Sequence, residues 1–278
     1  MAAYIDVQNL SYSYPDGTLA LRKINLRVHD GDFLALIGQN GSGKTTLSKC
    51  LNGILKPSEG TVLVDGFDTG TAAVADMVRR VGYVFQNPDH QIFNSSVYDE
   101  IAYGPRNIGL KEAEIKERVI EATRVVGLKD EHLGVHPFFL PKGLRQRVAI
   151  ASILALRPKV IIVDEPTTGQ DMHQSHEIMN FLTELHENSG HIIIIITHDM
   201  PIVARYAKRA VVMAMGQIIM DGPTDEVFAH PEELKKSFVK PPQITRLGQS
   251  LLTYGFPPNI LRVEEMATII KEKIAFAP

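Results

Sequence analysis

The eight residues Gly38-Gln39-Asn40-Gly41-Ser42-Gly43-Lys44-Thr45 restrict this 278-residue chain more than any other stretch. They fit the pattern G-x-x-x-x-G-K-[ST] without exception. The apolar run Phe33-Leu34-Ala35-Leu36-Ile37 precedes them and reads as a buried strand. A helical stretch from about Lys44 to Leu55 follows. Strand, loop and helix in this order form a phosphate cradle. Glycines let backbone N–H groups curl around phosphate oxygens, and the helix N-terminus adds partial positive charge. Lys44 then reaches the β- and γ-phosphates, and the Thr45 hydroxyl is placed for Mg²⁺. Gly38, Asn40, Gly41, Ser42, Gly43, Lys44, Thr45 and Thr46 are the candidate nucleotide-binding residues.

A second acidic element supports the first. Val160-Ile161-Ile162-Val163 reads as a buried strand ending at Asp164-Glu165. Asp164 can hold Mg²⁺, and Glu165 can orient or deprotonate a water at the γ-phosphate. The two elements lie 120 positions apart, and most of the space from about Ser96 to Ala155 reads as helix. Within it, Ile115, Val119, Ala122 and Val126 recur at helical spacing. Further strands are predicted at Tyr4–Val7, Ile24–Val28, Thr61–Val64, Val81–Phe85 and Ile192–Ile196, with a helix from about Ser175 to Asn188. Continuous apolar strands alternating with helices predict an α/β fold with a parallel sheet covered on both faces. Pro241-Pro242 marks a break before a tail with two helices around Tyr254–Pro258.

Composition narrows the function classes. The net charge of −3 gives no support for a nucleic-acid partner. One cysteine, Cys50, rules out an intrachain disulfide framework and fits a reducing compartment. The most strongly apolar run, Ile192–Ile196, is far short of the ~20 residues of a membrane span, and the first residues, with neither a basic start nor a long apolar stretch, do not predict a secretion signal. A GTPase would need Asn-Lys-x-Asp, which is absent. A small-molecule kinase would leave Asp164-Glu165, His198 and the long helical stretch between the two elements unexplained. The pairs His173/His176 and His132/His136 share helical spacing, but without a third ligand they read as surface histidines rather than a zinc site.

From about Tyr4 to Phe228 the ordered motifs resemble the nucleotide-binding subunits of ABC transporters. The resemblance implies a P-loop NTPase: a RecA-like parallel sheet, an antiparallel β-subdomain, an inserted helical subdomain and a small C-terminal helical module. It divides the chain into 1–232, with the helical subdomain at about 90–158, and a dimerisation module at 233–278. It implies that Tyr14 stacks on adenine, and that Gln86 touches both Mg²⁺ and the attacking water. Glu165 and His198 would be catalytic, and Asp171 would cross a dimer interface. The cofactors would be ATP and Mg²⁺.

Val84-Phe85-Gln86-Asn87-Pro88-Asp89-His90-Gln91-Ile92-Phe93 and the C-terminal tail look like those of energy-coupling factor ATPases. That likeness implies a motor at the cytoplasmic face of the cell membrane, importing a vitamin, cobalt or nickel. Its partners would be an integral membrane coupling protein, a substrate-binding membrane subunit and a second ATPase. One motif departs from the family. Its usual signature, Leu-Ser-Gly-Gly-Gln, aligns with Leu140-Pro141-Lys142-Gly143-Leu144. The Ser hydroxyl and first Gly are lost, and Pro141 has no N–H to give. Lys142 restores a positive charge, but on a flexible stem. This favours a paralogue as dimer partner, with one good site and one slow or silent site. A soluble ABC switch and a regulatory subunit with low turnover are the alternative readings.

Overall fold

The computed structural model describes residues 3–275. Residues 1–2 and 276–278, the extremes of the two divisions drawn from the sequence, lie outside them. The strands are β1 (Ile5–Ser13), β2 (Leu19–Val28), β3 (Phe33–Ile37), β4 (Glu59–Val64), β5 (Phe67–Asp68), β6 (Val81–Val84), β7 (Val160–Asp164), β8 (Ile192–Ile196), β9 (Arg209–Ala214) and β10 (Gln217–Pro223). The helices are α1 (Lys44–Leu51), α2 (Val74–Met77), α3 (Val97–Asn107), α4 (Glu112–Val125), α5 (Lys142–Leu154), α6 (Met172–Ser189), α7 (Met200–Tyr206), α8 (Thr224–Phe228), α9 (Pro231–Lys235), α10 (Gln243–Ser250) and α11 (Val263–Ala275).

Two sheets form. One is antiparallel with order β2-β1-β4-β5, and the other runs β10-β9-β3-β8-β7-β6. In the second, β9, β3, β8, β7 and β6 are mutually parallel and β10 closes the edge antiparallel to β9. Strand alternation sorts the apolar runs onto two faces. Phe33, Ala35, Ile37, Ile161, Val163, Ile193 and Ile195 pack with residues of α3 to α8. Leu34, Leu36, Val160, Ile162, Ile192, Ile194 and Ile196 pack with α1 and the antiparallel sheet. Both faces are covered, so no polar alternation was needed in these strands.

Several element ends differ from the sequence reading, each for a local reason. The first helix stops at Leu51 because Asn52 and Gly53, the latter at φ 76°, turn the chain. β6 stops at Val84, where the Phe85 N–H donates to the Gln91 side chain at 3.3 Å. α6 begins at Met172 because the Asp171 carboxylate accepts from the Gln174 N–H at 2.8 Å. β10 and α7 to α9 carry no strong local pattern, whereas β9 has an unbroken apolar run, Ala210–Met215, that the sequence reading passes over. The division at 232/233 falls inside α9, and Leu234 and Val239 sit in the core of the preceding part. Of the two tail helices, α10 packs back on the main body through Gln249, which donates to the Phe228 carbonyl at 2.8 Å. Among the described residues no helix is long and apolar enough to cross a membrane.

His191, just before β8, makes one expectation about stability. Burial lowers its pKa from the ordinary 6.5, opposed in part by its bond to the Pro158 carbonyl. The folded chain therefore takes up this proton less readily than the unfolded chain. Stability from this site is complete above the unfolded value and is lost as pH falls through the folded one. His191→Asn keeps a donor without titrating. It is expected to flatten the fall of Tm between about pH 6.5 and pH 5. An unchanged slope would remove His191 from the account of acid lability.

Candidate nucleotide-binding and catalytic site

Strand order gathers the candidate residues. β3, β8, β7 and β6 lie side by side and parallel, so their carboxyl ends share one edge. The phosphate loop leaves β3, His198 follows β8, Asp164 and Glu165 end β7, and Gln86 follows β6. Ligands of open α/β sheets bind at this edge.

The loop after β3 has the backbone its sequence demands. Gly38 lies at φ 149°, and a Cβ there would collide with the Met213 carbonyl oxygen of β9. Gly43 lies at φ 103° as the N-cap of α1, where a Cβ would meet the Ala20 carbonyl oxygen at 2.9 Å. Ser42 is buried and its hydroxyl lacks a hydrogen-bond partner, an unpaired donor inside the cradle. Asn40 and Gly41 form the exposed tip of the loop. Lys44 is only 7% exposed, and its ammonium donates to the Gly38 carbonyl at 2.8 Å and the Gln39 carbonyl at 2.9 Å. Burial lowers its pKa, while the charges of Glu165 and Asp164 pull the other way. Tyr14 and Thr46 share a hydrogen bond of 2.9 Å between their hydroxyls, and Tyr12 braces the Tyr14 ring edge-on at 5.1 Å. That braced, partly exposed ring offers a flat surface for a base beside the loop.

The acidic strand end connects to the loop directly. Thr45 Oγ1 donates to Asp164 Oδ2 at 3.2 Å, across 119 positions of sequence. Tyr83, on β6, donates its hydroxyl to the same oxygen at 2.7 Å. Burial, then the Asp164 charge, pushes the Tyr83 phenol well above its ordinary range, so it stays a donor. Tyr83 was missed in the sequence because nothing in its linear neighbourhood names Asp164 as its partner.

Glu165 stands at φ 51°, an uncommon conformation for a side chain other than glycine. Its N–H donates to the Ile196 carbonyl of β8 at 2.8 Å, which holds the turn. Glu165 Oε1 accepts from His198 Nδ1 at 2.8 Å, and Oε2 accepts from the Thr168 hydroxyl at 3.0 Å. Such a held carboxylate, partly open to solvent, can take a proton from water. Gln86 stands exposed beyond β6, without a hydrogen bond to the other site side chains among the described residues.

The altered signature begins α5. Leu140 is buried, Pro141 is the N-cap without a side-chain cap bond, and Gly143 lies in the first turn. Lys142, exposed, reaches along its own chain and donates to the Thr168 carbonyl at 3.2 Å. α5 also holds the segment after Gln86. Arg145 pairs with Asp89 at 2.6 and 3.2 Å, and Gln91 donates to the Ala149 carbonyl at 3.1 Å. The signature helix and the Gln86–Ser95 segment are therefore one mechanical unit. Of the histidine pairs, only His132/His136 serves locally, while His176 shares a hydrogen bond of 2.8 Å with the Tyr206 hydroxyl of α7. His132 and His136 each accept a backbone N–H through Nδ1. Among the described residues no group of three or more His, Cys, Asp and Glu converges on a metal position.

A phosphate cradle on a parallel strand end, with an acidic strand end hydrogen-bonded to it, defines a P-loop nucleoside triphosphatase. Comparison with known proteins makes the class specific. A family model described as ABC transporter matches residues 21–168, just over half of the chain. The chain belongs to the ABC transporter family, among the ATP-binding subunits of the energy-coupling factor kind. It is 44% identical over 269 residues to an energy-coupling factor transporter ATP-binding protein EcfA2 of Caldanaerobacter subterraneus subsp. tengcongensis, covering 94% of each chain. It is 50% identical over 270 residues to a putative ABC transporter ATP-binding protein of the same organism. That match takes in 96% of this chain and 46% of the relative, so the chain spans about half of that protein's length. Among solved structures it is similar to cbiO1 from Clostridium perfringens, part of the ABC transporter complex cbiONQ. The TM-score is 0.76 at 39% identity, covering 89% of this chain and 99% of that one.

Proposed function

We propose that this chain is the ATP-hydrolysing motor of an energy-coupling factor importer, at the cytoplasmic face of the cell membrane. It powers uptake of a vitamin or a transition-metal ion through a separate coupling protein and substrate-binding subunit. One observation carries the reading: the carboxyl ends of β3, β8, β7 and β6 bring Lys44, His198, Asp164 with Glu165, and Gln86 to one edge.

Each residue has a task in this reading. The amides of the Gly38–Thr45 loop and Lys44 hold the triphosphate, and Tyr14 carries the adenine. Thr45, Asp164 and Gln86 supply a hydroxyl, a carboxylate and an amide oxygen. That all-oxygen set with one carboxylate fits Mg²⁺ better than softer metals. When bound, Mg²⁺ neutralises charge developing on the phosphate oxygens. Glu165 accepts the proton of the attacking water. His198 and Thr168 hold that carboxylate still, which preorganises it for the transfer. Asp171 meets the partner ATPase across the dimer. The unit of α5 and Gln86–Ser95 passes the change to the membrane protein.

The partner is a paralogue rather than a second copy. Pro141 removes an N–H from the start of α5, and Lys142 is engaged in cis by Thr168. The signature of this chain is therefore poorly equipped to hold a γ-phosphate bound by another subunit. Replacing Pro141, Lys142 and Leu144 by Ser, Gly and Gln is expected to raise hydrolysis at that site roughly 10-fold or more. Single-turnover assays of the assembled pair read this out, and no rise would count against the asymmetric dimer. The same altered signature supports a second reading, a regulatory subunit of low turnover. ATPase activity that depends on the partner and is lost in the Glu165 variant separates the two.

Native mass spectrometry of the tagged chain from gently solubilised membranes tests the whole proposal. The expected complex contains this chain, a related but distinct ATPase and integral membrane proteins. A soluble homodimer without membrane subunits would overturn the transport reading in favour of a soluble switch.

A further inference from the structure

Tyr83 has no part in the reaction as laid out above, yet its hydroxyl lies on the side chain at the centre of it. β6 and β7 pair in parallel with Tyr83 beside Ile162. Strand alternation then puts Tyr83, Ile162 and Asp164 on the face packed against α1. The ring is 5% exposed and sits in the apolar cluster with Val81, Ile162 and Leu47. A phenylalanine would fill that space equally well. Only the hydroxyl reaches beyond the cluster, and it meets Asp164 Oδ2 at 2.7 Å. Both side-chain hydrogen bonds accepted by Asp164 fall on this one oxygen, since Thr45 Oγ1 lies 3.2 Å from it as well.

We infer that Tyr83 is a positioning residue for the cation site: it pins Oδ2 of Asp164 and so presents Oδ1 toward the nucleotide. The inference rests on the proposed Mg·ATP site. Its logic is a division of labour between two donors. In that site Thr45 would offer its hydroxyl oxygen to the cation, and its hold on Asp164 would no longer be its main contact. Tyr83 also faces the Ser48 hydroxyl, but it is not a proposed cation ligand and its buried ring is fixed by packing, so it keeps the carboxylate oriented in either state. A ligating carboxylate held by an outer hydrogen bond loses less freedom on binding the ion. The alternative is that phenol and carboxylate merely satisfy each other's burial. That role would affect folding and nucleotide binding without regard to the cation.

Tyr83→Phe in the full-length chain separates these. Manganese serves as the probe, its binding to the ADP-loaded chain followed by electron paramagnetic resonance. Calorimetry gives ATP affinity with Mg²⁺ and with excess chelator. The variant is expected to bind manganese roughly 10-fold more weakly. Its ATP affinity in chelator should stay within about two-fold of the parent, because the phosphate loop is untouched. Equal manganese affinity in variant and parent overturns the inference. So does an equal loss of ATP affinity with and without the cation, which marks a structural role. Asp164→Asn is the reference for the site itself. If the parent chain and Asp164→Asn bind manganese alike, the Mg·ATP reading fails, and the inference about Tyr83 with it.

Discussion

Glu165→Gln is expected to lower turnover at this chain's own nucleotide site by about 10²–10⁴-fold, the span of a lost general base. Binding should survive. The amide has the size of the carboxylate and keeps both contacts, since its oxygen accepts from His198 and its NH₂ donates to Thr168. The parent distances are 2.8 and 3.0 Å. The backbone at φ 51° is held by the Ile196 carbonyl, which the substitution does not touch. What disappears is the ability to take a proton. Steady-state ATPase of the assembled pair, with ATP affinity measured in parallel, is the check. A pair that keeps its full rate would show that Glu165 is not the base. A variant that loses ATP affinity as well would point to a part in ground-state binding instead.

Lys44→Met is expected to weaken ATP binding by roughly 10²–10⁴-fold, the effect of losing two charge-assisted hydrogen bonds of about 1.5–3 kcal/mol each. Without ligand, the ammonium is buried and satisfied by the loop's own carbonyls of Gly38 and Gln39. Burial opposes its charge, as the direction of its pKa shift indicates. Removing an ammonium held in this way need not destabilise the free chain, because the charge carried a desolvation cost. The expected result is therefore split: Tm close to the parent without nucleotide, and the rise in Tm produced by ATP abolished. A thermal-shift series with and without ATP reads both. An ATP-induced rise of parental size in Lys44→Met would mean that the phosphates are held elsewhere.

The legibility of this protein in its sequence varied by element. Gly38–Thr45 was readable because the chemistry is local. Positive φ at Gly38 and Gly43 requires residues without a Cβ, and the following helix supplies its own N-terminus. Asp164-Glu165 and His198 were readable only beside it, since each is an ordinary polar residue at a strand end. The five buried isoleucines of β8 announced a covered strand. The apolar run Ala210–Met215 marks β9 as a covered strand too, but nothing in it announces that its Met213 carbonyl forms the wall that excludes a side chain at Gly38.

Sequence by itself determined the class of fold, the phosphate loop, the residues at the strand ends and the departure at Pro141-Lys142. These follow from periodicity, glycine and proline conformation and charge, all set within a few residues of chain. Only the tertiary structure decided the rest. It placed β6, β7, β8 and β3 in one row, so that residues more than a hundred positions apart share a hydrogen bond. It turned Lys142 onto its own Thr168, and it set the Tyr83 hydroxyl on Asp164. Strand order and cross-strand register are products of packing two faces at once. No local stretch contains the information about which neighbour lies alongside.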